Sequence, residues 1–221
     1  MAVALGVVLS ASVAGAATST APVGNVTPNL QQPAAGRVAA VATSAPVDGQ
    51  VAVLIQNDTS SPTRVDVVTA TATRSDGGFS TRARTSSVYP QVLAPGELAL
   101  AAVQFRTRDV PPGTTFAVKV RSTRVSTARV ARGLAASNLV LSAPQTGRIA
   151  QTLGATLTNV STSWTAKRPD AAVMCFGEAG TPTTFAHARA SARRVAPGKT
   201  TPVSVPLTSL CPSYLVAARA A

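Results

Sequence analysis

Hydrophobic and polar positions alternate with a period of two along much of this chain. Val51, Val53 and Ile55 are separated by single residues, as in a strand that buries one face. Residues 64–74 combine valines with alternating Thr and Ala, and residues 116–120 alternate again. β-Branched side chains favour strands. No segment has a helical period, so the pattern predicts an all-β protein.

Polar turns with the same chemistry occur twice, 102 residues apart. The matched first residues are Asn57 and Asn159, Asp76 and Glu178, and Ala94 and Ala196. The turn at residues 76–78 reads Asp-Gly-Gly, which tolerates the positive φ angles of a tight hairpin. Short strands separated by Gly and Pro corners are typical of antiparallel sandwiches. The sequence therefore predicts two tandem antiparallel Ig-like β-sandwich domains that arose by internal duplication.

The ends of the chain differ from the repeated part. Residues 1–17 are apolar and end in Ala-Gly-Ala-Ala, which suggests a signal peptide, although no Lys or Arg precedes Arg37. The alternative is a disordered, Ala-rich leader. We predict a flexible spacer at 18–36, sandwich domains at 37–126 and 137–221, and a basic linker at 127–136. The apolar run is too short for a transmembrane span, which takes about 20 residues.

Positive charge dominates the composition. The 20 Lys and Arg against 8 Asp and Glu give a net charge of +12, enough to attract polyanions of any class. Four arginines lie near the predicted linker without an acidic residue between them: Arg121, Arg124, Arg129 and Arg132. They are our candidates for polyanion binding, and the alternative is a solvated linker. Other arginines cluster at 82–84, 106–108 and 189–194.

The only two cysteines, Cys175 and Cys211, fall in the second predicted domain. In an exported protein, two cysteines in one domain most simply form a disulfide. A metal-binding pair is disfavoured, because a zinc site needs four ligands and the chain has one His. We therefore predict the Cys175–Cys211 bridge, with no metal and no cofactor.

The second copy resembles a known family. Residues 173–180 read Val-Met-Cys-Phe-Gly-Glu-Ala-Gly, between the Asn159 turn and the Ala-Pro-Gly turn at 196–198. This arrangement is similar to the FxLYD-type Ig-like sandwich modules of secreted actinobacterial proteins. The resemblance implies a cell-surface or extracellular interaction module without a defined activity.

No motif indicates catalysis. His187 is the only imidazole, and the spacing of the aspartates resembles no calcium loop. Trp164 is a candidate ligand contact that could stack on a sugar ring, and the alternative is packing over the edge of the core. We expect a secreted, non-enzymatic module that binds an anionic envelope polymer or a surface protein, with nucleic acid not specifically indicated. The alternatives are a structural spacer and an accessory domain pair of a secreted enzyme system.

Overall fold

The computed structural model describes residues 20–32, 35–75, 80–106, 109–111, 113–130, 133–144 and 146–220. Over these residues the chain is almost entirely β, as predicted. The strands before the one short helix among these residues are β1 Val23–Gly24, β2 Val38–Thr43, β3 Gln50–Asn57, β4 Thr63–Thr73, β5 Ser80–Thr85, β6 Val88–Tyr89, β7 Val92–Leu93, β8 Leu98–Gln104 and β9 Thr115–Arg124. After helix α1, Thr127–Val130, come β10 Leu134–Leu141, β11 Gln151–Asn159, β12 Ala166–Lys167, β13 Asp170–Phe176, β14 Pro182–Arg189, β15 Arg194–Val195, β16 Thr200–Leu207 and β17 Ser213–Arg219.

Strands β2 to β9 form the first sandwich. One sheet has the order β2-β3-β8-β6, and the other has β4 between β9 and the pair β5 and β7. The core between them contains Val51, Val53 and Ile55 from β3 and Val65 and Val68 from β4, all fully buried. The alternation read from the sequence is therefore the inward face of a real sheet.

Strands β10 to β17 form the second sandwich. Its sheets have the orders β10-β11-β16 and β1-β17-β13-β14, and a small pair, β12-β15, extends it. Leu153 pairs with Val205 as Val51 pairs with Val103 in the first sandwich. The pairing of these strands is thus the same in the two sandwiches, with corresponding residues 102 positions apart. The predicted disulfide is confirmed, with Cα atoms of Cys175 and Cys211 5.3 Å apart.

A buried asparagine organises the same turn in each sandwich. The Nδ2 atom of Asn57 donates to the carbonyl oxygens of Ser61, Leu93 and Ala94, and that of Asn159 donates to those of Trp164 and Val195. In both turns the asparagine Oδ1 accepts a backbone N–H from two residues further on. Both side chains are fully buried, and these hydrogen bonds satisfy their polar atoms while tying each turn to the neighbouring chain segment.

The two sandwiches pack face to face through a third apolar layer. The first contributes Val41, Ala52, Leu54, Tyr89 and Leu100, and the second contributes Ala172, Met174, Phe176, Phe185, Leu215 and Ala217. Sheet β2-β3-β8-β6 therefore buries both of its faces, as does the sheet containing β13. The result is a stack of four sheets in which the middle layer joins the two sandwiches.

The predicted spacer at 18–36 is not a free tether over residues 20–32. Val23 and Gly24 pair with β17 as strand β1, and the Asn25 side chain bonds to Pro212 and Tyr214. A Cβ atom at Gly24 would overlap the carbonyl oxygen of Tyr214. Further on, backbone bonds link residue 29 to the second sandwich and residue 31 to the first. Composition did not reveal this strap, because its backbone is held by bonds to distant residues.

The predicted linker at 127–136 is shorter than expected. Residues 134–136 belong to β10, so they lie in the second sandwich, and residues 127–130 form helix α1. The predicted signal peptide at 1–17 and the Asp-Gly-Gly turn at 76–78 lie outside the described residues. The strands flanking that turn, β4 and β5, do pair antiparallel as predicted. Among the described residues, no helix is long and apolar enough to cross a membrane.

Candidate anion-binding site

Five cationic side chains surround one open hollow at an end of the second sandwich. The hollow has a volume of about 810 Å³ and is lined by Lys167, Arg168, Arg189, Arg193 and Arg194, together with the small residues at 190–192. We call these five residues the basic hollow. All five are exposed to solvent, so their charged groups are accessible to a ligand.

Two chain segments, 167–168 and 189–194, are joined by backbone hydrogen bonds at the basic hollow. Strands β12 and β15 place Ala166 opposite Val195, both buried in the core, and Lys167 opposite Arg194, both facing solvent. This split follows from the alternation of side chains along a strand. Beyond the pair, the backbone N–H of Arg168 donates to the carbonyl of Arg193 at 2.8 Å, and residue 190 bonds back to residue 169.

Backbone conformation at Arg168 is unusual. Its φ angle is 46°, in the left-handed region that non-glycine residues rarely occupy. Such strain costs of order 1–3 kcal/mol and is found preferentially at ligand-binding sites. The sharp turn carries Lys167 and Arg168 to the rim of the hollow from one side while Arg193 and Arg194 approach from the other.

No counter-charge offsets the basic hollow within the described part of the chain. Its lining residues include no Asp or Glu, and none of the five cations forms an ion pair there. Like charges gathered this way raise the local positive potential and attract anions from solution. Folding alone does not require them, because exposed charges contribute little to stability.

The acidic residue that follows the hollow in sequence, Asp170, faces the other way. It lies on β13 at the contact between the sandwiches and is only 5% exposed. Its Oδ2 atom accepts a 2.8 Å hydrogen bond from the Tyr89 hydroxyl. Arg219 lies 3.7 Å from Oδ2, with its guanidinium 4.5 Å from the centre of the Tyr89 ring. Asp170 is therefore engaged across the contact and does not neutralise the hollow.

The second oxygen of Asp170 is less well satisfied. Oδ1 is buried and accepts no hydrogen bond from the described residues; Nδ1 of His187, whose side chain is 54% exposed, lies 3.5 Å away. Burial raises the pKa of Asp170, but contacts from His187 and Tyr89 and the charge of Arg219 outweigh it, so the pKa is lowered overall. Burial, followed by the charge of Asp170, raises the pKa of Tyr89.

Of the four arginines selected from the sequence, the three that the structure describes do not form one patch. Arg121 projects from β9, and Arg124 borders a shallow pocket beside the Asn57 turn. Arg129, on α1, lines a different pocket with Arg219. Arg132 lies outside the described residues. Proximity in sequence was a poor guide, because β9 and α1 carry successive residues to different surfaces.

Sequence reasoning grouped Arg189, Arg193 and Arg194 but missed Lys167 and Arg168. The signal was present as a second basic pair, Lys167-Arg168, placed so that an antiparallel pairing of β12 and β15 would bring it opposite Arg194. Recognising it required the register of two-residue strands. Such short elements leave almost no pattern in a sequence.

Trp164 and His187 have structural surroundings. Trp164 is half-buried against the core of the second sandwich, and its carbonyl accepts from the Asn159 side chain at 2.7 Å. This matches the alternative in which the ring covers the edge of the core. His187 lies at the contact between the sandwiches with Tyr89 and Phe185. Among the described residues, no cluster of His, Cys, Asp or Glu suits a metal ion.

Comparisons with known proteins give no family. No family model and no curated protein matches the chain. Among solved structures, the crystal structure of red sea bream transglutaminase is similar at 15% sequence identity, with a TM-score of 0.24. The likeness covers 83% of this chain and 29% of the transglutaminase. A TM-score this low carries no argument about fold or activity.

Proposed function

We propose that this protein is a non-enzymatic interaction module of the cell exterior that binds an anionic envelope polymer through the basic hollow. The observation that carries the proposal is the convergence of five unpaired cations on one concavity. Arg guanidinium groups bind phosphate and carboxylate oxygens by paired hydrogen bonds. Several such contacts along a polymer give useful affinity even when each is weak.

Export is supported by the disulfide. Disulfides persist in oxidising compartments and are uncommon in the cytosol, and Cys175 and Cys211 are buried in the core of the second sandwich. An Ala-rich apolar leader and the resemblance to extracellular FxLYD-type modules favour the same location. Anionic polymers of the cell envelope are the partners available there.

The test is a titration of an anionic polymer against three proteins at several salt concentrations. Poly(glycerol phosphate) is a suitable probe. In the hollow variant, four of the five cations become Gln: Lys167→Gln, Arg168→Gln, Arg193→Gln and Arg194→Gln. A charge-matched control carries four exposed substitutions elsewhere: Arg37→Gln, Arg74→Gln, Arg148→Gln and Lys199→Gln. Circular dichroism and the urea midpoint establish that both variants fold.

Binding to the hollow should weaken steeply with salt, because each neutralised phosphate releases counterions. We expect the hollow variant to lose affinity at low salt and the control to stay close to the wild type. Equal affinities for the two variants would refute the proposal, since net charge alone would then explain the binding.

A second candidate is a rigid structural spacer without a ligand. It is favoured by the apolar layer between the sandwiches and by the strap that bonds to both of them, because both features fix their relative orientation. Absence of binding to every anionic probe, with folding intact, would favour this function over the first.

A further inference from the structure

The first sandwich also has a strongly basic surface, on the side opposite the contact with the second. On β4, Val68 and Ala70 point into the core, so Thr69 and Thr71 point outward. Arg84 and Lys119 flank Thr69 on the two neighbouring strands, and Arg82 flanks Thr71. Arg121 pairs with Val67 at the next outward position. We call this surface the outer basic face, formed by Arg82, Arg84, Lys119 and Arg121 around Thr69 and Thr71.

Charges on the outer basic face are available to a ligand. All four cations are exposed, and none forms an ion pair with a described residue. Two acidic residues lie near this face. Asp109 shares a shallow pocket with Arg82 and Arg84, and Asp66 is already held by Arg64 at 2.9 Å and by the Thr123 hydroxyl. The Thr123 hydrogen bond is the main reason that the pKa of Asp66 is lowered.

The corresponding face of the second sandwich is covered by the first sandwich, and its side chains differ. The ladder of β13 and β14 matches that of β4 and β5, with Ala171 paired to Ala188 as Val68 is to Thr85. There the positions that match Thr69, Thr71 and Arg82 hold the buried side chains Ala172, Met174 and Phe185. The face is apolar where it packs on a sandwich. Its hydroxyls and cations in the first sandwich therefore indicate a hydrated, anionic partner instead.

Spacing on the outer basic face suits an extended chain. Alternate residues on a strand are about 6.7 Å apart, and β5 and β9 are separated by roughly 9.6 Å across β4. Arg82 and Arg84 thus form one row of charges, and Lys119 and Arg121 form a parallel row. Threonine hydroxyls between the rows are placed to donate to the same anions, and a phosphodiester offers two free oxygens that accept from both donors.

The described part of the outer basic face offers no aromatic ring for a base. Proteins that hold single-stranded nucleic acids commonly stack bases on aromatic side chains, and Phe116 on β9 packs against the core. A polymer without bases fits this surface better. Arg106 extends the charge around the edge at β5, where it lines a shallow pocket with Arg82, Arg84 and Asp109.

We propose that the outer basic face is a second binding site, for a base-free sugar- or polyol-phosphate chain, so that one protein holds two segments of polymer. This inference rests on the proposed function, because it assigns the same class of ligand to a second surface. Long chains that reach both sites would bind with an avidity gain of roughly 10²–10⁴ over either site alone. Short chains would occupy the two sites independently.

Calorimetry with a short poly(glycerol phosphate) oligomer tests the inference by stoichiometry. The face variant carries Arg82→Gln, Arg84→Gln, Lys119→Gln and Arg121→Gln, which matches the hollow variant and the control in charge removed. We expect two oligomers per wild-type or control protein, one for the face variant or the hollow variant, and none when both sets are combined.

The two proposals fail in different ways. One oligomer per wild-type protein, lost only in the hollow variant, would overturn the second site and leave the proposed function standing. Loss only in the face variant would overturn the proposed role of the hollow instead. Binding of oligo-dT or poly-glutamate to the face as tight as that of the phosphate oligomer would overturn its assignment to a base-free phosphate chain.

Discussion

The hydrogen bond from Tyr89 to Asp170 should be a principal link between the two sandwiches. Tyr89 is fully buried and Asp170 is 5% exposed, and the hydroxyl is the group that donates to Oδ2 at 2.8 Å. In Tyr89→Phe the carboxylate keeps only the longer contacts to Arg219 and His187. A hydrogen bond to a charged group contributes about 1.5–3 kcal/mol, so we expect the unfolding free energy to fall by about 2 kcal/mol.

Urea unfolding measures this effect and locates it. The single Trp of the chain, Trp164, lies in the second sandwich and reports on that sandwich alone, whereas far-UV circular dichroism reports on both. In the wild type we expect coincident transitions. With an m value of roughly 2 kcal/mol/M, a loss of 2 kcal/mol lowers the midpoint by about 1 M. In Asp170→Ala the dichroism signal should fall before the fluorescence, because the first sandwich has no disulfide.

A double-mutant cycle and a matched control complete the test. Tyr89→Phe combined with Asp170→Ala should cost less than the sum of the single changes, by about 1.5–3 kcal/mol. Tyr214→Phe is the control, since the hydroxyl of Tyr214 makes no hydrogen bond with the described residues. A coupling energy near zero, or a Tyr89→Phe midpoint equal to that of the control, would refute this account of the contact.

Three further predictions concern stability. Asn57→Ala and Asn159→Ala should each lower the unfolding free energy by about 3 kcal/mol, because each change removes several hydrogen bonds made by a buried amide; urea midpoints within 0.2 M or so of the wild type would contradict this. Reducing the disulfide should cost about 2–4 kcal/mol, which unfolding with and without reductant checks, and an unchanged Trp164 transition would count against it. The pKa of Tyr89 is raised in the folded protein. The contribution of the Tyr89 hydroxyl to stability is therefore complete below pH 10 and is lost as the pH rises through the raised pKa. Phenolate absorbance of Tyr214→Phe should therefore appear only above pH 10, and a tyrosine that titrates at its ordinary pKa of 10.0 would argue against burial.

Local sequence patterns predicted the strands and turns well. Alternation at Val51, Val53 and Ile55 identified an inward face, and the repeated motif identified matching turns at Asn57 and Asn159, although the burial of the two amides was seen only in the structure. These predictions succeeded because they depend on residues close together in the chain. The pairing of the two cysteines followed from their number, their place in one predicted domain and the expected export of the protein.

The strands at the contact between the sandwiches can be recognised in the sequence by continuous apolar runs, which do not alternate with polar residues. Residues 51–55 are apolar at every position, as are residues 171–176, whereas residues 152–158 alternate with Thr. A strand that is apolar on both faces is expected to be buried on both. The strand β11, which alternates, lies on an outer sheet, and β3 and β13 lie on the sheets that meet.

Positions of the charged surfaces were decided by the tertiary structure. Arg121 and Arg129 are close in sequence, but β9 and α1 direct them to separate surfaces, while β12 and β15 bring Lys167 to Arg194. The sequence determined the strands, the repeated turns, the disulfide and the net charge, because each depends on local pattern or on composition. Which charges share a surface was decided only by the pairing and stacking of the strands. Strand pairing fixes the distance between residues that are far apart in the sequence, and the sequence pattern does not reveal that distance.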